Sequence, residues 1–142
     1  MLHHTLNRMK TIERIEHKGR LVAIIVKKKF SKEGLTFVTE DNFALQLGIH
    51  MQKKGYLSKP HKHLKFSKLE NLEAQEVLFV EKGKVKIGLY DDNGKKIKDI
   101  NVGNGDIVVL NSGHSVECLN DSKFIEVKQG PYRGQKEKEY FS

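Results

Sequence analysis

From Arg20 onward the chain is a succession of short apolar runs and period-two alternations, each cut off by turn residues. Leu21 to Val26 is apolar and largely β-branched, as in one strand buried on both faces. Phe43 to Met51 alternates strictly, which puts Phe43, Leu45, Leu47, Ile49 and Met51 on one face of a predicted strand. Further strands are predicted at Val77 to Glu81, Val85 to Tyr90, Lys96 to Val102, Ile107 to Leu110, Ser115 to Leu119 and Phe124 to Lys128. Turn chemistry separates them at Lys82-Gly83, Asp91 to Gly94, Gly103 to Asp106 and Asn111 to Gly113. The only amphipathic stretch that suggests a helix lies around Glu70 to Ala74. Many short strands at even spacing predict an all-β domain, a sandwich or barrel rather than an α/β fold. Residues 1–18 are polar without sustained period and read as an arm or a loosely docked edge segment, 19–130 as the β-domain, and 131–142 as a charged tail. The Tyr140-Phe141 pair is placed to pin that tail onto the domain or onto a second subunit.

Length and composition narrow the choice without naming a function. A chain of 142 residues suits one core. No run approaches the length of a membrane span, and the amino terminus has no apolar core of a signal peptide, so a cytoplasmic protein with no membrane partner is expected. The single cysteine, Cys118, lies in an apolar stretch and reads as a buried structural thiol. Because Leu21 to Val26 is apolar on both faces, a partner is expected to cover it, in a homodimer. The net charge of +8 is carried almost wholly by lysines spread along the chain, with arginine only at Arg8, Arg14, Arg20 and Arg133. Arginine is what bidentate recognition of phosphates and base edges favours. A solvated basic surface that attracts small anionic ligands is therefore expected, and not a nucleic-acid groove.

The candidate chemistry centres on Pro60-His61-Lys62-His63. Imidazoles two residues apart on a strand share a face and can bind one metal ion. Gly55 stands six residues before His61, and Glu76 opens an apolar strand that ends at Gly83. These residues resemble the first motif of the cupin superfamily, in which a glycine, an H-x-H pair, a glutamate and a second glycine recur in this order. Gly55, His61, His63, Glu76 and Gly83 fit it, but twelve residues, Leu64 to Gln75, replace the usual spacer of three or four, which implies an inserted loop. Glu70 and Glu73 lie nearer the histidines but open no apolar strand and have no glycine at the required distance, so Glu76 is the expected ligand. The second cupin motif is matched by Gly105, Gly113 and Asn120, with Asn111 in place of the proline and Val116 in place of the third histidine. His114, two residues before Val116, shares its strand parity and is taken as the fourth ligand, with an outer supporting role as the alternative.

The resemblance spans about Phe43 to Lys128 and implies a jelly-roll barrel open at one end. It also implies one divalent transition metal (zinc, iron, manganese or nickel) on His61, His63, Glu76 and His114, and frequent dimers. Cupins include isomerases and epimerases of sugar derivatives, dioxygenases, decarboxylases and members that only bind ligands. Three imidazoles and one carboxylate leave coordination positions open, as a catalytic site requires. With the positive charge, the expectation is a metal-dependent isomerase or epimerase acting on a small anionic oxygenated metabolite. The alternatives are a non-catalytic metal or metabolite binder and an iron-dependent dioxygenase. Gln46 and His50, on the polar face of the strand before the first motif, and Lys128, which alternates with Glu126 in the last strand, are candidates for substrate contact or proton transfer.

Overall fold

Ten strands make up the regular structure of residues 10–64, 66, 71–130, 134 and 138–141, the residues described by the computed structural model. In chain order they are β1 (Ile12–His17), β2 (Arg20–Val26), β3 (Gly34–Phe37), β4 (Gly48–Met51), β5 (Glu76–Lys82), β6 (Lys84–Tyr90), β7 (Lys96–Gly103), β8 (Ile107–Leu110), β9 (Gly113–Cys118) and β10 (Lys123–Lys128). All pairings are antiparallel, so the protein is all-β as expected. One sheet has the order β1-β2-β8-β5-β10, a second β7-β6-β9, and β3 pairs with β4 alone.

The chain crosses between the two large sheets at β5–β6, β7–β8, β8–β9 and β9–β10. The β5–β6 crossing is made at Gly83, whose φ of 107° disfavours side chains and where a Cβ would stand 2.7 Å from the Asp121 carbonyl oxygen. Between the sheets lies one apolar cluster, with Val22, Ala23, Ile25, Leu78, Val80, Val108 and Leu110 from the first and Val85, Ile87, Leu89, Ile100 and Val102 from the second. The outer face of the five-stranded sheet carries Leu21, Ile24, Val26 and Val109, covered by Val38 with Phe43, Leu47 and Ile49. Both faces of β2 are thus covered within the chain, which accounts for its continuous apolar run. The premise of the expected homodimer, that a partner must cover Leu21 to Val26, does not hold. Light scattering at micromolar protein reads the oligomeric state directly.

The predicted strands from Val77 onward recur within one or two residues of β5 to β10. Residues 12–17 of the amino-terminal segment are β1, an edge strand of the five-stranded sheet, whose pairing with β2 shifts register between Ile15 and Glu16. That bulge breaks the period-two pattern by which a strand is read. Residues 1–9 lie outside the described residues. Other expectations are corrected. Of Phe43 to Met51 only Gly48–Met51 is strand. Before it the backbone turns, with Phe43 N–H donating to the Glu40 carbonyl, Leu45 N–H to the Gln75 side-chain oxygen and Leu47 N–H to the Thr39 hydroxyl. Side-chain oxygens satisfy this backbone in place of a ladder. No helix forms over residues 71–74, and Glu70 lies outside the described residues. No helix among the described residues is long and apolar enough to cross a membrane.

Cys118 is exposed at the end of β9, not buried. Edge position explains the error: β9 is an edge strand whose residues from Ser115 onward face solvent, despite the apolar neighbours Val116 and Leu119. Cys118→Ser is accordingly expected to change stability by no more than about 0.5 kcal/mol. The native thiol should react with a disulfide reagent without prior unfolding; slow reaction, paced by unfolding, would restore the buried reading.

Candidate functional site

The register brings chemically capable side chains to one end of the two packed sheets. In the five-stranded sheet Glu76 pairs with both Leu110 and Lys128, and in the three-stranded sheet Tyr90 pairs with Gly113. The link between β8 and β9, Asn111-Ser112, joins these two ends and delivers His114 beside Glu76. The His114 Nε2 lies 3.1 Å from the Glu76 Oε2, with both side chains mostly shielded from solvent. The other ring nitrogen, Nδ1, is 2.9 Å from the Ser112 carbonyl oxygen. With both nitrogens facing acceptors, the imidazolium is fully satisfied here.

Each partner shifts the other in the direction of charge. The hydrogen bond from His114 holds the Glu76 carboxyl below its ordinary value of 4.5, against the opposing effect of burial. The positive charges of His114 and Lys128 add to that lowering, as does a hydrogen bond with Glu126. The hydrogen bond to Glu76 raises His114 above 6.5, again opposed by burial and assisted by the Ser112 carbonyl. Glu126 and Lys128 belong to β10, in register with Leu78 and Glu76, so the face that carries the chemistry also carries these two residues.

A buried amide pair sets this geometry. The Gln75 side-chain amide donates to the Asn111 side-chain oxygen at 3.0 Å, and the Asn111 amide donates to the Leu21 carbonyl at 2.9 Å. Arg20 donates to the Asn111 carbonyl at 2.9 Å and forms ion pairs with Asp92 and Glu73 at 3.0 and 3.3 Å. Gln75 immediately precedes Glu76, and Asn111 stands three residues before His114, so these amides anchor both chain segments that supply the pair. Sequence reasoning missed them as site residues. The one available signal was Asn111 itself, an asparagine where the cupin motif has proline.

Glu117, also on β9, forms an ion pair with Lys86 at 3.0 Å, on the opposite parity from His114. The other sequence candidates fall elsewhere. His61 and His63 are exposed in the coil between β4 and β5, with ring centroids 5.2 Å apart, and the His61 Nδ1 is 2.8 Å from the Lys59 carbonyl oxygen. His50 is exposed on β4, 3.3 Å from the Gln52 amide and 6.4 Å between ring centres from Tyr56. Gln46 commits its amide to the carbonyls of Glu40 and Phe43 and accepts from the Thr39 hydroxyl, so it organises its own loop. A cleft of about 410 Å³ lined by Lys27, Lys28, Lys29 and Asp106 lies at the opposite end of β2 and β8, where Asp106 offsets the lysine charge.

For a metal ion, the donors are suitable and their assembly is incomplete. A carboxylate and imidazoles are the donor set of zinc, iron, manganese and nickel sites. In both His114 and His61 the Nδ1 is tied to a backbone carbonyl, which leaves Nε2 as the coordinating nitrogen. Among the described residues, however, no three His, Cys, Asp or Glu side chains stand close enough to hold one ion. The candidates form two pairs, Glu76 with His114 and His61 with His63, and not one set of four. No protein-family model matches the chain, and no curated protein or solved structure matches it significantly.

Proposed function

We propose that the chain is a cupin-type jelly-roll barrel in the cytoplasm whose working site is the Glu76–His114 end. There it binds one divalent transition metal and a small anionic oxygenated metabolite. The observation that carries this reading is the meeting of Glu76 and His114 at 3.1 Å from different sheets, since the two were selected from separate sequence motifs as ligands of one ion. The full site requires the coil from residue 52 to 75 to carry His61 and His63 to the pair. Lys128 beside Glu76 and the net charge of +8 favour an anionic ligand such as a sugar phosphate or nucleotide sugar.

Binding is better supported than turnover, because His50, the acid/base candidate, and Gln46, a candidate for substrate contact, do not join the site. A second reading rests on the same pair. A hydrogen-bonded carboxylate and imidazole can move protons without a metal, as isomerisation or epimerisation of such a metabolite requires.

One experiment separates these readings. Protein purified without chelator is reconstituted with zinc, iron, manganese or nickel and analysed for bound metal, then screened by thermal shift against sugar phosphates, nucleotide sugars and keto acids. Stoichiometric metal is expected; none with any of the four sinks the first reading. Hits are followed by NMR in deuterium oxide, where solvent deuterium on a substrate carbon in the presence of chelator supports the second. Substrate-dependent oxygen uptake with iron would support a dioxygenase instead.

A further inference from the structure

At the rim of this same end, two glycines and a tyrosine converge on one aromatic ring from the tail. The Phe141 ring lies over Tyr90, with centroids 5.9 Å apart and planes inclined by 37°. A Cβ at Gly94 would stand 2.9 Å from the Phe141 ring, and one at Gly113 2.7 Å from it. Gly94 closes the turn after β6, donating to the Asp91 carbonyl at 3.0 Å with φ at 81°, and Gly113 begins β9 opposite Tyr90. Two separate turns therefore lack a side chain where the ring sits. The residue after Gly113 is His114, whose Nδ1 is held by Ser112.

We infer that Phe141 is a latch: seated in the notch of Tyr90, Gly94 and Gly113, it clamps the 111–114 turn and limits the opening that exposes His114. The occupant is this chain's own tail. Clamping follows from position, because Gly113, against which the ring is seated, immediately precedes the histidine that meets Glu76. That the guarded histidine belongs to a ligand site rests on the function proposed above. The latch itself is tested on metal-free protein and stands or falls without any ligand.

The test is carbethoxylation of His114 at pH 7 by diethylpyrocarbonate, with rates resolved by peptide mass spectrometry. Reaction at Nε2 requires the turn to open, because Glu76 occupies that nitrogen. An aromatic contact contributes on the order of a two- to tenfold factor to such an equilibrium. Phe141→Ala is expected to raise the His114 rate by that factor and to leave exposed His50 on β4 unchanged, while Phe141→Tyr keeps the slow rate. Gly113 does not have a positive φ, so Gly113→Ala is tolerated by the backbone and expels the ring through its Cβ. It should speed His114 as Phe141→Ala does, and the double variant should react no faster than either single one. A His114 rate unchanged in Phe141→Ala, or a full additional effect of Gly113→Ala in the Phe141→Ala background, overturns the latch.

Discussion

Replacing His114 by alanine is expected to lower the affinity for a divalent transition metal by more than about 100-fold, whereas Glu117→Ala leaves it unchanged. Partners that only orient a metal ligand are worth about 10- to 100-fold, and loss of the ligand itself exceeds that. The distinction between these neighbours on β9 is one of parity: His114 faces Glu76, while Glu117 faces Lys86. Glu76→Ala, His61→Ala and His63→Ala should each match His114→Ala. Glu73→Ala should leave affinity unchanged, since its carboxylate pairs with Arg20. Calorimetric titration with zinc or nickel measures all of these. Loss of affinity in the Glu117 variant alone would remove His114 from the site. Full affinity in both the His61 and His63 variants would show that the coil between β4 and β5 does not join Glu76 and His114.

The legible part of the fold was the part held by alternation and turn chemistry. From Val77 to Lys128 apolar runs, Gly83, the Asp91 to Gly94 turn and the Gly103 to Asp106 turn mark strand limits that the backbone follows closely. What stayed hidden had its period disturbed or its backbone satisfied by side chains. The bulge at Ile15 masks β1, and the amides of Gln46 and Gln75 hold residues 43–47 out of a ladder that their alternation suggests. Cys118 shows the converse error, since apolar neighbours on an edge strand do not guarantee burial.

For the site, His114 rests on its strand parity with Val116 and Glu76 on motif spacing, and the structure brings these two side chains to 3.1 Å while Glu73 pairs with Arg20. Parity says nothing about a coil, which is why His61 and His63 lie on no strand face here. Nor does a one-dimensional pattern disclose a buried amide pair such as Gln75 and Asn111, whose partners come from distant segments.

In the metal-free protein, Glu76→Gln is expected to cost about 1–2 kcal/mol of unfolding free energy near pH 5.5, and clearly less near pH 9. Two opposite linkages produce this window. His114 titrates higher in the folded state than its ordinary 6.5, so its contribution is full below that value and is lost as pH rises through the raised value. Glu76 titrates below its ordinary 4.5, so its contribution is full above 4.5 and is lost as pH falls through the lowered value. The two overlap between 4.5 and 6.5, where carboxylate and imidazolium face each other at 3.1 Å. Glutamine keeps the shape and removes the charge, so the stability gap between wild type and variant should close on either side of that range. Urea unfolding at pH 5.5, 7.5 and 9 measures the gap, and adding His114→Gln and the double variant at the same pH values isolates the coupling between the two side chains. Near-zero coupling at pH 5.5, or a gap that is constant or widens toward pH 9, would show that the pair contributes through packing alone. A coupling that fades with His114 deprotonation would instead identify this contact as the electrostatic tie between the two sheets at the end where the ligand is proposed to bind.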